Sequence, residues 1–293
     1  MSHTNKYMTC SNWLIQASAF LEASGIETAR LDSLVLLEDC LAKDRSWLLA
    51  HPETKLSTSQ EATLKKLLKR RANHEPLAYV RRRCEFYNYQ FVLTPAVLQP
   101  RPESETFIDL VKALANDGSL RPTDSSSLQI ADVGAGSGAI GITLALEIPN
   151  CQVELLEVDP KAAEVAKINV DKFTLNISVT ISNLLESSNQ DFDALVCNLP
   201  YVPDDFQINR AALHEPPIAI FGGPDGLDVY RQLFNQVSKR TSKPLFILTE
   251  ALPSQHEDLR AIAQEVDYKL LKTDDFIQVF QYDTSRSNDA TTL

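Results

Sequence analysis

The sequence predicts an α/β fold in which a mostly parallel sheet of seven strands follows a small N-terminal helical bundle. From residue 128 to residue 282, apolar segments of strand length alternate with amphipathic segments of helix length. This is the pattern of a parallel sheet with helices on both faces. Before residue 84, apolar residues recur only at helical spacing. The 293 residues are 44% hydrophobic and 23% charged, which is typical of a globular chain with one large domain or two smaller ones.

Residues 1–83 are predicted to form the bundle, with three helices. The first begins at a capping Thr9 or Ser11, the second runs from Thr28 to Leu41, and the third begins near Ser57 or Ser59. One apolar face of the second helix is expected to be buried; it consists of Leu31, Leu34, Val35 and Leu37. We assign this bundle no catalytic residues.

The charge of the chain is uneven. Its net charge is −11, which argues against wrapping nucleic acid by bulk attraction. From Glu61 to Arg83, eight Lys or Arg stand against two Glu, so this stretch carries +6 and the remainder −17. Two interpretations stay open for the stretch, a solvated helix face and a docking patch for an acidic or RNA-associated partner.

Residues 84–100 are predicted to form a hairpin or linker, because aromatic residues favour extended chain there until Pro95 and Pro100 interrupt it. The second domain is predicted to span residues 101–283, followed by a polar, disordered tail at 284–293. Its strands are expected at Leu128–Val133, Val153–Glu157, Ile177–Ile181, Ala194–Cys197, Leu245–Thr249, Tyr268–Lys272 and Phe276–Tyr282.

Several functional classes are disfavoured. Five Cys and five His show neither C-x-x-C nor H-x-x-x-H spacing, so we expect reduced thiols and no metal site. No apolar run approaches the roughly 20 residues of a membrane span. The first 25 residues lack the basic start and apolar stretch of a signal peptide. The expected compartment is therefore the cytoplasm, with no membrane partner.

A glycine-rich turn follows the first strand of the sheet, in the sequence Asp132-Val-Gly134-Ala135-Gly136-Ser137-Gly138. Such a turn lets a ligand approach the backbone at a helix start. The second strand ends at Glu157, 19 residues after Gly138, where a carboxylate can accept hydrogen bonds from both ribose hydroxyls. The segment therefore predicts a nucleoside cofactor, although a turn that binds nothing remains an alternative.

Two cofactors fit this turn. Gly136-x-Gly138-x-x-Gly141 matches the dinucleotide fingerprint, so NAD(P) stays open. The earlier start at Gly134 and the polar Asp132 inside the strand favour S-adenosylmethionine, because this carboxylate can hold both the turn and the amino-acid end of the ligand.

A second motif, Asn198-Leu199-Pro200-Tyr201, ends the fourth strand of the sheet. Ligands bind beyond the carboxyl ends of such strands, so Asn198 is expected beside the cofactor. Pro200 favours extended geometry at Leu199, which can aim its carbonyl, with the Asn198 side-chain oxygen, into the pocket. Two acceptors of this kind can orient a planar NH2 group for methylation, and Tyr201 can stack on it.

At these motifs the chain resembles class I methyltransferases with an [N/D/S]-P-P-Y motif. More narrowly, it is similar to the protein-(glutamine-N5) methyltransferases that modify class 1 peptide chain release factors. The narrower resemblance extends over about residues 12–282 and rests on three further stretches. They are Arg71–Tyr79, Leu98–Glu105 and His214–Arg231.

The resemblance implies a Rossmann-like domain that methylates the glutamine of a Gly-Gly-Gln loop, and a helical domain that grips the release factor. By position, the residues implied in S-adenosylmethionine binding are Gly134, Ala135, Gly136, Ser137, Gly138 and Glu157, with Asn183 and Leu184 flanking the adenine. The residues implied in binding the glutamine are Asn198, Leu199, Pro200 and Tyr201, with Arg101 and Pro102 at the pocket lip.

Four departures from the family pattern are present: Leu199 replaces Pro, Asn183 replaces Asp, Glu157 replaces Asp, and Glu250–Gln255 alters a Glu-x-Gly-x-x-Gln pattern. Asn-Leu-Pro-Tyr also occurs in ribosomal-RNA adenine dimethyltransferases, so methylation of an adenine in RNA or DNA is an alternative. The acidic charge and the N-terminal position of the helical domain disfavour it. A non-enzymatic binding module on the same fold is the third hypothesis.

Overall fold

The computed structural model describes residues 7–123 and 127–285. The chain forms two compact units. The helical unit contains the chain up to Arg82 together with Asn209–His214, and the sheet unit contains Arg83–Ile208 and the chain from Glu215 onward. Most of the predicted tail, from residue 286 on, lies outside the described residues.

The helical unit contains the three predicted helices and two short ones that the sequence analysis missed. Thr9 caps the first helix by accepting a hydrogen bond from Asn12 N, and Ser57 and Gln60 form a capping box at the fourth. The two missed helices have six and five residues, too few to show a helical period. The helices are α1 (Cys10–Ala23), α2 (Ala29–Leu41), α3 (Arg45–Ala50), α4 (Thr58–Ala72) and α5 (Leu77–Arg81).

Helix α2 buries Leu34 and Leu37 as expected, but not Leu31. Leu31 is 47% exposed, and the buried face includes the polar Asp32. Asp32 is held in this face by an ion pair: its Oδ2 accepts a hydrogen bond from Arg71 Nε of α4 at 2.6 Å, with little exposure of either side chain. A buried carboxylate needs such a partner.

The basic stretch from Glu61 to Arg83 is partly neutralised within the helical unit. Besides Arg71, Arg81 Nε pairs with Asp39 at 2.7 Å, and Arg70 Nε pairs with Glu75 at 2.8 Å. Asp32 and Asp39 lie outside the stretch, so its local excess of positive charge is smaller than the sequence indicates. The exposed cations of α4 are Lys65, Lys66 and Lys69.

The sheet unit has the predicted seven strands, in the order β5-β4-β3-β6-β7-β9-β8. Strands β3 to β7 are parallel, and β9 and β8 form an antiparallel edge. The order reverses on the two sides of β3, whose neighbours are β4 and β6. The strands are β3 (Leu128–Val133), β4 (Cys151–Glu157), β5 (Ser178–Ile181), β6 (Ala194–Cys197), β7 (Phe246–Glu250), β8 (Tyr268–Asp274) and β9 (Ile277–Tyr282).

Apolar sequence explains the position of the central strands. Every residue of β6 and β7 is buried, as expected for parallel strands covered on both faces. The carboxyl ends of β3, β4, β6 and β7 therefore meet at one edge. The covering helices are α6 (Thr106–Asn116), α7 (Ala139–Glu147), α8 (Pro160–Lys172), α9 (Asp228–Lys239) and α10 (His256–Gln264).

The predicted hairpin is present and belongs to the sheet unit. Its strands, β1 (Arg83–Phe86) and β2 (Tyr89–Val92), pair antiparallel. The buried Asn169 of α8 accepts a hydrogen bond from Val92 N at 2.7 Å and donates to Val92 O at 3.0 Å. The same amide donates to Ser137 O at 2.9 Å. Asn169 therefore fixes the hairpin and the glycine turn to one helix.

Within residues 7–123 and 127–285, no helix combines the length and the apolar character that crossing a membrane requires.

The ion pair of Asp32 and Arg71 yields a stability prediction. Asp32→Ala should lower the free energy of unfolding of the helical unit by about 3 kcal/mol, because it leaves a mostly buried guanidinium without its partner. The two tryptophans of the chain, Trp13 and Trp47, both lie in this unit. Urea unfolding followed by tryptophan fluorescence therefore reports on it.

The matched control is Arg45→Ala, which removes a more exposed ion pair with Glu38 in the same unit. It should change the free energy of unfolding by less than about 1 kcal/mol. Equal urea midpoints for the two variants would show that burial does not strengthen the Asp32 pair.

Candidate active site

A cavity of about 300 Å³ lies in the sheet unit at the carboxyl ends of the central strands. The glycine turn, Glu157 and the turn at Asn198 all line it. It is therefore placed where the strand order reverses, the usual ligand site of an open α/β sheet. The predicted site residues that line it are Gly134, Ala135, Gly136, Ser137, Glu157, Asn183, Leu184, Asn198, Leu199 and Pro200.

The glycine turn is closed by its own backbone. Gly138 N donates to Ala135 O at 2.7 Å, while Gly134 N and Ala135 N donate to Leu156 O of β4 at 2.8 and 3.0 Å. Gly134 has φ +76°, and a Cβ there would lie 2.8 Å from Cδ2 of Leu199. Position 134 therefore requires glycine for its conformation and for the approach of Leu199.

Glu157 lies beneath the turn with its carboxylate fixed. Its Oε2 accepts a hydrogen bond from Gly136 N at 2.7 Å and its Oε1 accepts one from Asp159 N at 2.9 Å. Burial raises the pKa of this carboxyl. Each oxygen keeps a further lone pair, so Glu157 can still accept hydrogen bonds from two ligand hydroxyls in the cavity.

Asp132 does not line the cavity. The side chain is buried behind the turn, where its Oδ2 accepts a hydrogen bond from Gly141 N at 2.8 Å. Burial raises its pKa to about 7. The bond holds the first turn of α7, which directly follows the glycine turn, and the contact of Asp132 with the amino-acid end of a ligand stays a prediction.

Gly141 is explained by the same contact. A Cβ at this position would lie 2.9 Å from Oδ2 of Asp132 and 2.3 Å from Cδ2 of Leu155. Close packing against Asp132 thus accounts for the third glycine of the apparent dinucleotide fingerprint, which removes one reason to favour NAD(P).

Asn183 and Leu184 follow β5 and line the cavity as predicted. The Asn183 side chain donates to Glu186 Oε1 at 3.0 Å, and Leu184 has φ +55°. This bend brings the two residues to the cavity wall, while the side-chain amide of Asn183 is held by its own loop.

The side chain of Asn198 is held by two buried acceptors. Its Nδ2 donates to Ser104 Oγ at 2.9 Å and to Glu250 Oε2 at 3.1 Å. No donor within the described ranges hydrogen-bonds to Oδ1 of Asn198 or to the carbonyl oxygen of Leu199. Two acceptors are therefore available in the turn that lines the cavity, as the sequence predicts.

Besides Asp132, four predicted residues do not line the cavity: Gly138, Tyr201, Arg101 and Pro102. Gly138 closes the glycine turn through its N–H, and its contact with the cofactor stays a prediction. The ring of Tyr201 packs on the core, and its hydroxyl donates to Glu250 Oε1 at 3.0 Å. Arg101 Nη2 is 2.8 and 2.6 Å from the two oxygens of Glu215, and Pro102 begins a short 3-10 helix. The stacking role of Tyr201 and the lip roles of Arg101 and Pro102 stay predictions.

The sequence analysis assigned no role to three side chains that hold the turn. Ser104 and Glu250 fix the amide of Asn198. Tyr230 lies between the ends of β6 and β7, where its hydroxyl is 3.0 Å from Cys197 O and 2.6 Å from Glu250 O. One signal was available: Glu250 ends β7, the strand next to the one that ends before Asn198.

The backbone of the turn is enclosed by glycines and by Gln255. A Cβ at Gly222 would lie 2.3 Å from Pro200 O, and one at Gly226 would lie 2.1 Å from Tyr201 O. Gln255 Nε2 donates to Tyr201 O at 2.8 Å. The turn is thus fixed on its outer side by backbone contacts that leave no space for a side chain.

These features fit S-adenosylmethionine. The glycine turn lets a ligand approach the protein backbone closely. Glu157 offers acceptors for ribose hydroxyls, and Asn183 and Leu184 form the neighbouring wall of the cavity. Together, the sheet order and this cavity define a Rossmann-like class I methyltransferase that uses S-adenosylmethionine as methyl donor.

Two protein families match the chain, one in each half. The family described as PrmC N-terminal domain matches residues 12–81, and the family described as Methyltransferase small domain matches residues 110–215. The chain is 34% identical to a release factor glutamine methyltransferase of Koribacter versatilis over 235 residues, which covers 78% of this chain and 81% of that protein. It is 33% identical to the one of Coxiella burnetii over 246 residues, covering 83% and 86%.

The chain belongs to the family of release factor glutamine methyltransferases. Among solved structures, the hMettl16 catalytic domain in complex with MAT2A 3′UTR hairpin 6 has a TM-score of 0.53 at 13% identity. That comparison covers 78% of this chain and 84% of the other, and it supports the fold alone.

The glycine contacts yield a prediction. Gly222→Ala should lower turnover by about 10- to 100-fold, because its Cβ would push the turn at Pro200 by a fraction of an ångström and misplace the two acceptors. The affinity for S-adenosylmethionine, measured by calorimetry, should change by less than about threefold, since Gly222 does not line the cavity.

The control is Gly118→Ala. Gly118 also resists substitution because its φ is +77°, but a Cβ there would meet nothing within 4 Å. It should reduce stability and leave turnover unchanged. Unchanged turnover in Gly222→Ala would show that the turn tolerates displacement.

Proposed function

We propose that this protein transfers a methyl group from S-adenosylmethionine to the side-chain amide nitrogen N5 of the glutamine in the Gly-Gly-Gln loop of class 1 peptide chain release factors. One observation carries the proposal. The turn after β6 presents two open acceptors, Asn198 Oδ1 and Leu199 O, in the same cavity as the glycine turn. The names of the related proteins support the same activity.

The donor side of the cavity is built from residues that follow the first three parallel strands, β3, β4 and β5, or end them. S-adenosylmethionine, when bound, supplies an electrophilic methyl group on a sulfonium. Gly134 and Gly136 would hold it through their backbone, Glu157 would accept hydrogen bonds from its ribose, and Asn183 and Leu184 would flank its adenine.

The acceptor side of the cavity can compensate for the low nucleophilicity of the substrate amide nitrogen. The nitrogen of a carboxamide is a poor nucleophile because its lone pair is delocalised into the carbonyl. Asn198 Oδ1 and Leu199 O can each accept one of its two N–H groups, which fixes the nitrogen and stabilises positive charge that develops on it. Positioning of this kind supplies a large part of a rate enhancement, so no metal and no strong general base are needed.

Apolar side chains exclude water from around the reacting atoms. Phe86, Val97 and Leu199 line the cavity and are almost fully buried. Excluding water strengthens the hydrogen bonds made to the substrate amide and protects the methyl donor from hydrolysis.

The helical unit is proposed to bind the body of the release factor. Lys65, Lys66 and Lys69 are exposed on α4, which suits an acidic protein surface. In this proposal residues 1–83 dock the substrate, residues 101–283 carry out the chemistry, and the protein acts in the cytoplasm on a protein substrate, without nucleic acid.

A labelling experiment tests the activity. Incubation with methyl-labelled S-adenosylmethionine should add one methyl group to a release factor, and replacing the loop glutamine by alanine should abolish the label. Mass spectrometry of the loop peptide locates the group. Label in ribosomal RNA would favour adenine methylation, and bound cofactor without any transfer would favour a binding module.

A substitution tests the role of Asn198. Asn198→Ala removes one of the two acceptors, so turnover should fall by about 10²-fold or more. Binding of S-adenosylmethionine should persist, because the glycine turn and Glu157 are unchanged. Normal turnover in this variant would exclude Asn198 as the residue that orients the substrate amide.

A further inference from the structure

The side chain of Asn198 lies against a buried hydroxyl and a buried carboxylate. Ser104 is 1% exposed and Glu250 is 2% exposed. Ser104 Oγ lies 2.6 Å from Glu250 Oε2, and both atoms lie within 3.1 Å of Asn198 Nδ2. These three polar groups, from three separate segments of the sheet unit, form one closed set of hydrogen bonds.

The hydrogens available in this set determine which groups donate hydrogen bonds and which accept them. An ionised carboxylate only accepts hydrogen bonds, and a serine hydroxyl has a single hydrogen to donate. The hydroxyl of Ser104 gives that hydrogen to Glu250, so it can only accept from Asn198. Both neighbours of the Asn198 amide are then acceptors, and the amide must turn its NH2 toward them and its oxygen away from them.

Burial raises the pKa of Glu250 above its ordinary value, and the donors that face its carboxylate partly offset this rise. Tyr201 donates its hydroxyl hydrogen to Oε1 at 3.0 Å, so donors from three residues converge on this carboxylate. The backbone of Glu250 is fixed as well, because its N–H and carbonyl both contact the Tyr230 hydroxyl.

We propose that Glu250, with Ser104, is a positioning residue that sets the polarity of the Asn198 amide, so that an acceptor and not a donor faces the substrate. This inference rests on the proposed function. A reversed Asn198 amide would present its NH2 group to the NH2 group of the substrate glutamine. Two donors would then face each other, and the substrate nitrogen would lose one of its two acceptors.

The chain contains a matched pair for comparison. Glu154 of β4 is also buried, and its carboxylate accepts hydrogen bonds from Ser188 Oγ at 2.7 Å and Thr180 Oγ1 at 2.6 Å. Neither Glu154 nor Ser188 lines the cavity or contacts Asn198. Changes at this pair therefore report the structural cost of disturbing a buried Ser–Glu hydrogen bond in the same unit.

The test compares Glu250→Gln with Glu154→Gln in the full chain. Glutamine is nearly isosteric with glutamate, but its NH2 group can donate to Ser104 and to a reversed Asn198. We expect kcat for release-factor methylation to fall about 10- to 100-fold in Glu250→Gln. The KM for the release factor and the affinity for S-adenosylmethionine should stay within about twofold, and Glu154→Gln should keep the wild-type kcat.

A second pair of variants tests the same proposal if Glu250→Gln does not fold. Ser104→Ala removes one acceptor of the Asn198 amide and leaves Glu250 as the other, so we expect a smaller loss of kcat, about three- to tenfold. Ser188→Ala should leave kcat unchanged. Thermal unfolding followed by circular dichroism should give similar losses of stability for the two serine variants.

Nuclear magnetic resonance distinguishes positioning from a structural role. The side-chain NH2 protons of Asn198, assigned by their loss in Asn198→Asp, should be protected from solvent exchange in the wild type, exposed in Glu250→Gln and less protected in Ser104→Ala. The proposal is overturned if either variant keeps the wild-type kcat, or if kcat falls while these protons stay protected.

The test of the role of Glu250 can fail independently of the test of the proposed function. Absence of glutamine methylation by the wild type would refute the proposed function, whereas the exchange of the Asn198 protons would still be measurable. Methylation by the wild type together with equal kcat values in Glu250→Gln and Glu154→Gln would refute the role of Glu250 alone.

Discussion

The structure of the active-site turn depends on one buried carboxylate at the end of a central strand. Glu250 gathers donors from three residues that are distant in sequence: Ser104, Asn198 and Tyr201. A buried charge is stable only with such partners, so each of these side chains is restrained to one orientation. The parallel pairing of β6 and β7 makes this possible, because it brings Glu250 beside Asn198.

Much of the fold and part of the site could be predicted from the sequence. Alternating apolar segments predicted all seven strands, and β6 and β7 are buried throughout as such segments require. The glycine turn and the Asn198 turn were found because each motif directly follows a strand. In a parallel sheet the carboxyl ends of strands converge, so position along the chain was sufficient to predict that these two turns share a cavity.

The remaining features depend on contacts between distant residues, which spacing does not encode. The pair of Asp32 and Arg71 is separated by 39 residues and places an acidic side chain in the helical core. Ser104 and Glu250 are separated by 146 residues, and neither has a local pattern that marks it as a partner of Asn198. The bond from Gly141 N to Asp132 was likewise not predicted from spacing, and the contact of Asp132 with a ligand stays a prediction.

Leu199 has a consequence for how this pocket can diverge. Its side chain fills the space above Gly134, and its backbone N–H lies 3.4 Å from the Tyr230 hydroxyl, a bond that a proline at this position could not make. One residue thus borders both the donor loop and the acceptor turn. A change of side chain at position 199 therefore alters the packing on Gly134 and the backbone contact to Tyr230 at the same time, so neither half of the pocket can be changed there without affecting the other.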